Sequence, residues 1–94
     1  MEVITFVEGN VPISKIEEFE SDYETLKQNK KPEGMIASYL LQDSTKKGLY
    51  IIETVWASQE SLDKMGNEQL EIVELFEKSG IRPTVKVYNM VNNI

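Results

Sequence analysis

Strand and helix patterns follow one another along this chain in the order strand, helix, strand, strand, helix, strand. Residues 2–8 are largely β-branched and aromatic, as is typical of a strand, and segments 35–42, 48–56 and 84–91 have a similar character. This order predicts an α+β fold of the ferredoxin-like βαββαβ kind, with a four-stranded antiparallel sheet and both helices on one face. The 94 residues suffice for one domain, and we expect 1–94 to form it.

The first helix is predicted to begin after a break in the first strand at Gly9-Asn10. Ser14 and Glu17 have the spacing of a capping box. The helix carries one apolar stripe at steps of three and four residues, formed by Ile13, Ile16, Phe19, Tyr23 and Leu26.

The second helix is predicted to be broken in two. Ser58 is the expected N-cap of a short first part that carries Leu62 and Met65. Gly66-Asn67 restarts the helix, and Gly80 ends it.

The predicted strands carry large apolar side chains on both faces. In the third strand, one face has Leu49, Ile51 and Val55, and the other has Tyr50, Ile52 and Trp56. The helices can cover only one face of the sheet, whereas a solvated face would alternate to polar residues. We therefore expect a homodimer in which two identical sheets pack face to face.

Composition argues against several classes of function. The chain has no Cys and no His, so neither thiol chemistry nor a zinc or haem-iron enzyme is expected, and we predict no metal and no cofactor. The net charge of −6 argues against a nucleic-acid partner. No apolar run reaches the roughly 18–20 residues of a membrane span, so we expect no membrane partner. The absence of Cys suits a reducing compartment, and we expect a cytoplasmic location.

Two segments resemble a known family. Pro32-Glu33-Gly34-Met35 and, above all, the run Tyr50–Leu62 are similar to the antibiotic-biosynthesis-monooxygenase-like family, in which a strand ending in Trp is followed by Ser, Glu and Leu at the start of a helix. The resemblance implies ferredoxin-like subunits whose sheets form a dimeric α/β barrel, with a ligand cavity in each subunit between sheet and helices. It also implies cofactor-free monooxygenase activity on a phenol- or quinol-type hydrophobic substrate.

The chain departs from parts of this family at positions that would carry chemistry. Many members have a His nine residues after the strand-end Trp, where this chain has Met65. The polar and aromatic residues of the haem-degrading branch find no match at Val7, Met65 or Leu75, so haem degradation is not expected. These departures favour the alternative, a non-catalytic module that binds a small hydrophobic or aromatic ligand. A third option is a dimer whose edge strands recruit a peptide.

Aromatic residues are the candidates for a site. Trp56, Tyr23 and Tyr39 are the catalytic candidates, since an indole would stack on an aromatic substrate and a tyrosine hydroxyl would donate to a quinone oxygen. The structural alternative for Trp56 is a core anchor at the strand-to-helix corner. The expected lining of the ligand pocket is Phe6, Tyr23, Trp56, Met65 and Phe76.

Glu53 is a charged residue within an otherwise apolar strand. Because burial of an unpaired carboxylate is costly, we expect a cross-strand salt bridge to Lys86 or Arg82. The alternative is a carboxylate base with a raised pKa. Asn89, in the last strand, is a candidate for a buried amide.

Overall fold

The computed structural model describes residues 1–29 and 31–94, and for 66–70 the backbone alone. The elements are β1 (Val3–Asn10), a short 3-10 helix (Ile13–Lys15), α1 (Ile16–Lys27), β2 (Met35–Gln42), β3 (Leu49–Trp56), α2 (Gln59–Lys64), α3 (Gly66–Glu77) and β4 (Thr84–Asn89). The strands form one antiparallel sheet in the order β2-β3-β1-β4. The predicted ferredoxin-like α+β fold is confirmed, and the second helix is broken where the sequence indicated.

β1 continues through Gly9 and Asn10, where the sequence predicted a break. Asn10 pairs with Leu49 of β3. A Cβ atom at Gly9 would lie 2.8 Å from Ile81 Cδ1 and 2.9 Å from Phe76 Cδ1. The predicted break is wrong because this glycine makes room for core side chains above the strand, without turning the chain.

The two predicted N-caps have different outcomes. Ser58 accepts a hydrogen bond from the backbone N–H of Ser61 at 3.1 Å and caps α2 as predicted. In the described segment 12–27, no side chain caps the 3-10 helix or α1. The Ser14 capping box is wrong because the N–H of Lys15 donates to the carbonyl of Pro12, which begins the helical turn before Ser14.

Ser58→Ala is expected to lower the free energy of unfolding by about 1 kcal/mol, because the Ser61 N–H loses its acceptor. Ser14→Ala is the matched control and should change it by less than about 0.5 kcal/mol. Urea denaturation of both variants beside the wild type measures the difference. Equal losses would contradict the assignment of Ser58 as a cap.

The core lies between the helices and one face of the sheet. Its larger cluster surrounds Phe19, Tyr50 and Phe76, and the ring centroids of Phe19 and Phe76 are 4.9 Å apart. A second cluster surrounds Trp56. Ile13 is 62% exposed, contrary to its predicted place on the apolar stripe, because it precedes α1 in the 3-10 helix.

The sheet has one covered and one uncovered face. Along β3, buried residues beneath the helices alternate with half-buried residues on the opposite side. We call that opposite side the open face. Its side chains are those of Ile4, Phe6, Glu8, Ala37, Tyr39, Leu41, Ile51, Glu53, Val55, Thr84, Lys86 and Tyr88. The helices therefore leave a largely apolar surface without cover, as the sequence predicts.

Candidate ligand-binding site

A cavity of about 750 Å³ lies between α1, α3 and β2. Tyr23, Leu40 and Ile72 contribute apolar surface to its wall, one from each element. Charged groups also line it, namely those of Glu20, Glu24, Lys27, Lys31 and Glu71. Pockets for small organic ligands commonly enclose ~300–1,000 Å³ and combine apolar walls with a few polar groups. The cavity therefore has the size and composition expected for a small aromatic ligand.

Residues of two elements, α1 and β2, form most of the cavity wall. On α1, the half-buried Tyr23 and Leu26 extend the apolar side that packs on the core, and Glu20 lies one turn before Tyr23. On β2, the alternation directs Leu40 towards the helices and Tyr39 towards the open face. Both Tyr39 and Leu40 line the cavity because β2 is an outer strand of the sheet, and the cavity extends around its edge.

A hydrogen-bonded group that includes the buried Tyr50 and the exposed Glu20 and Gln42 borders the cavity. The hydroxyl of Tyr50, a residue only 2% exposed, donates to the Glu20 carboxylate, and Gln42 Nε2 donates to Tyr50 Oη at 3.2 Å. Burial raises the pKa of Tyr50 to about 12, and the hydrogen bond to Glu20 adds to the rise. Tyr50 therefore stays protonated at neutral pH and holds the Glu20 carboxylate at the cavity wall.

Sequence reasoning missed Glu20. It is one of several acidic residues on α1, such as Glu17 and Glu24, which together indicate a solvated helix face. Its distinguishing feature is the contact with Tyr50, 30 residues further along the chain. No local pattern in the sequence reveals a contact of that kind.

The predicted site residues fall in different parts of the fold. Tyr23 and Tyr39 line the cavity. Trp56 is fully buried, with Nε1 donating to Thr5 Oγ1 at 3.2 Å, and Met65 packs against its cluster. Phe76 is buried in the larger core cluster.

Phe6 lies on the open face, on the opposite side of the sheet from the helices. It lines a shallow groove of about 380 Å³ there, together with Tyr88 and Lys86. The structure thus brings together two of the predicted residues, Tyr23 and Tyr39. Direct contact of a ligand with Phe6, Trp56, Met65 or Phe76 stays a prediction.

The predicted partners of Glu53 are not in contact with it. Phe6 of β1 lies between Glu53 and Lys86, and in the described part of the chain Glu53 forms an ion pair neither with Lys86 nor with Arg82. The expected salt bridge is wrong because β1 separates the two strands. Asn89 is exposed, so the predicted buried amide is also wrong.

Within residues 1–29 and 31–94, no helix combines the length and the apolar character that crossing a membrane requires. The described side chains, those of residues 1–29, 31–65 and 71–94, include no group of three or more His, Cys, Asp or Glu placed to hold a metal ion.

No family model matches the sequence, and no curated protein matches it. Solved structures do match. A protein from Deinococcus radiodurans, provisionally named an antibiotic biosynthesis monooxygenase, is 10% identical, with a TM-score of 0.80 over 98% of this chain and 95% of that chain. A variant of SnoaB, a cofactor-independent oxygenase from Streptomyces nogalater, is 16% identical. Its TM-score is 0.70 over 99% of this chain and 96% of that chain. A heme-degrading protein from Mycobacterium tuberculosis is 17% identical. Its TM-score is 0.71 over 100% of this chain and 99% of that chain.

These similarities concern the fold. The identities are low, and the predicted resemblance to the antibiotic-biosynthesis-monooxygenase-like family is confirmed at the level of the fold. The named activities differ between the similar structures, and one fold can support several chemistries. The choice of a function for this chain therefore depends on the residues at its own cavity.

Proposed function

We propose that this chain is a homodimeric, cofactor-independent oxygenase whose phenol- or quinol-type substrate binds in the cavity between α1, α3 and β2. The observation that supports the proposal is the cavity itself, with about 750 Å³ of space, apolar walls and the Glu20 carboxylate at its border. An aromatic ring would bury its faces against Tyr23 and Leu40. Its hydroxyl group would find a charged acceptor in Glu20.

The substrate would supply the electrons for the reaction. Glu20 would accept a hydrogen bond from the phenol hydroxyl, which raises the electron density of the ring and favours electron transfer to O₂. A phenol and O₂ would give a quinone and water. One oxygen atom bonds to a ring carbon, and the hydrogens of that carbon and of the hydroxyl leave in the water formed from the other oxygen atom. Tyr23 and Tyr39 would donate hydrogen bonds to the quinone oxygens.

The second candidate function is non-catalytic binding of a small hydrophobic ligand in the same cavity. The composition favours it: the chain has no His and no Cys, so the cavity offers neither an imidazole base nor a thiol nucleophile. In a binding module, Glu20 and the cavity wall would orient the ligand without promoting its reaction. The departures from the family at Val7, Met65 and Leu75 also favour this candidate.

Oxygen uptake with a panel of hydroquinones and naphthols is expected for the wild-type protein. Leu40→Trp should reduce uptake at least about tenfold, because the indole fills the cavity that the ring would occupy. Ile13→Trp is the matched control, since it adds the same side chain at a position that is 62% exposed and outside the cavity. Tyr23→Phe removes a hydroxyl group from the cavity wall and leaves the aromatic ring in place. Circular dichroism checks that all variants fold.

The outcomes separate the two candidates. Binding of the panel compounds by calorimetry without oxygen uptake would identify the binding module. Absence of both binding and uptake would overturn the assignment of the cavity. Equal uptake in Leu40→Trp and Ile13→Trp would move the reaction to another site.

The proposed dimer forms through the open face. That face presents apolar side chains from all four strands, with Tyr39 and Tyr88 51% and 50% exposed. Burial of each large apolar side chain contributes about 1.5–3 kcal/mol, so an identical sheet is a favourable cover. Light scattering at micromolar concentration should give twice the mass of one subunit. The mass of a single subunit would contradict the dimer.

A further inference from the structure

Two opposite charges lie on the open face, and we propose that they pair across the dimer, Glu53 of each subunit with Lys86 of the other. This inference rests on the proposed homodimer. It goes beyond that proposal because it assigns the contacts that orient one sheet on the other, and it commits the open face to a second copy of this chain.

One row of the sheet contains both charges. Backbone pairing places Tyr39 opposite Glu53, then Glu53 opposite Phe6, and Phe6 opposite Lys86. Neighbouring strands lie about 4.8 Å apart, so the Cα atoms of Glu53 and Lys86 are about 10 Å apart. Phe6 of β1 lies between them in the row. Within the described part of the chain the two groups form no ion pair with each other, although both lie at the same level of the sheet.

Glu53 requires a cation when the face is covered. It is half-buried already, with Phe6 and Tyr39 as its neighbours in the row. Packing a second sheet on this face would remove the carboxylate from water, and an unpaired buried carboxylate is strongly unfavourable. A purely apolar partner surface would leave it in that state. A second copy of this face brings one ammonium group, from Lys86, for each such carboxylate.

A two-fold axis parallel to β1 and above Phe6 satisfies both charges at once. Rotation about this axis exchanges the two sides of β1, so Glu53 of the partner subunit faces Lys86, and Lys86 of the partner subunit faces Glu53. Packed sheets lie about 10 Å apart, a gap that extended Lys and Glu side chains can bridge from opposite sides. The row of the open face that holds Glu53, Phe6 and Lys86 is therefore complementary to itself in charge.

Glu8 is the competing acid for Lys86. It lies on the same face of β1 and pairs with Thr84, two residues before Lys86 on β4. Within one subunit Glu8 and Lys86 form no ion pair in the described part of the chain. A pair across the dimer, between Lys86 and Glu8 of the partner subunit, would neutralise the lysine and leave Glu53 without a cation. The experiment must therefore distinguish these two carboxylates.

Charge reversal tests the assignment. Glu53→Lys places Lys opposite Lys at both contacts and should weaken dimerisation at least about tenfold, and Lys86→Glu should do the same with two acids. When these two variants are mixed, both contacts in the mixed dimer join opposite charges. Native mass spectrometry, with one variant carrying an affinity tag, should then show mixed dimers well above the roughly one-half that random pairing gives. The double variant E53K/K86E should regain wild-type dimerisation.

The controls separate the possible failures. A monomeric wild type overturns the proposed dimer itself. A dimeric wild type whose mixed variants pair at random overturns only the Glu53–Lys86 contact. Glu8→Lys mixed with Lys86→Glu is the matched control, and a preference for mixed dimers there, but not with Glu53→Lys, would assign Lys86 to Glu8 and overturn the proposal. Circular dichroism of each variant establishes that it is folded.

Discussion

Replacing Phe76 with alanine is expected to lower the free energy of unfolding by about 3–5 kcal/mol. Phe76 is fully buried, its ring centroid lies 4.9 Å from that of Phe19, and it occupies the space above Gly9. Truncation would leave a void between the helices and the sheet that neither can close, since strand pairing holds β1 in place. Small domains have only about 5–15 kcal/mol of stability in total, so this is a large share.

Urea denaturation at one fixed protein concentration measures this loss, because the stability of a dimer depends on concentration. Ile13→Ala is the control: it also truncates a large apolar side chain, but at a residue that is 62% exposed, and should cost less than about 0.5 kcal/mol. A loss below about 1 kcal/mol for Phe76→Ala would contradict the packing of the larger core cluster.

Stability is expected to fall between about pH 10 and pH 12, by about 2–3 kcal/mol through Tyr50 alone. The pKa of Tyr50 is raised from 10.0 to about 12 in the folded state, first by burial and then by Glu20. Below pH 10 the hydroxyl is protonated in both states, and its contribution to stability is fully present. Above pH 10 the unfolded chain gains free energy by ionising while the folded chain does not, so this contribution is lost as the pH rises towards 12.

Tyr50→Phe isolates this effect from other groups that titrate in the same range. At neutral pH the variant should be less stable than the wild type by about 1–3 kcal/mol, because Glu20 and Gln42 lose their hydrogen-bond partner. The difference should shrink as the pH rises from 10 to 12, since the variant has no hydroxyl to ionise. Tyr23→Phe removes a hydroxyl from a half-buried ring on α1, outside the open face, and serves as the control. Parallel stability curves for wild type and Tyr50→Phe would refute the assignment.

Local signals were reliable for elements whose pattern and packing agree. β3 alternates over eight residues, and its predicted limits, 48–56, agree with the observed Leu49–Trp56 to within one residue because both of its neighbours pair with it along its length. Ser58 caps α2 because its side chain needs only an N–H three residues away. Local signals failed where a distant group decides the outcome. The sequence predicts a break in the strand at Gly9, whereas Ile81 and Phe76 pack against this glycine in the core.

The candidate site was predictable only in part. Tyr23 lies on a helical stripe, and Tyr39 on an outer strand, so both reach the cavity. An aromatic residue on the covered face of an inner strand has no such access, and Trp56 is buried for that reason. Glu20 gains its place from Tyr50, through a contact between two elements that sequence periodicity cannot pair.

By itself, the sequence determined the order of the elements, the antiparallel ferredoxin-like sheet and the presence of apolar groups on both of its faces, because these follow from side-chain periods of 2 and 3.6. Only the tertiary structure decided which side chains share a cavity and which charges are kept apart. Strand order placed Phe6 between Glu53 and Lys86, and the packing of α1 on β3 brought Glu20 to Tyr50. Such contacts depend on how whole elements are arranged in space, and no local stretch of sequence contains that information.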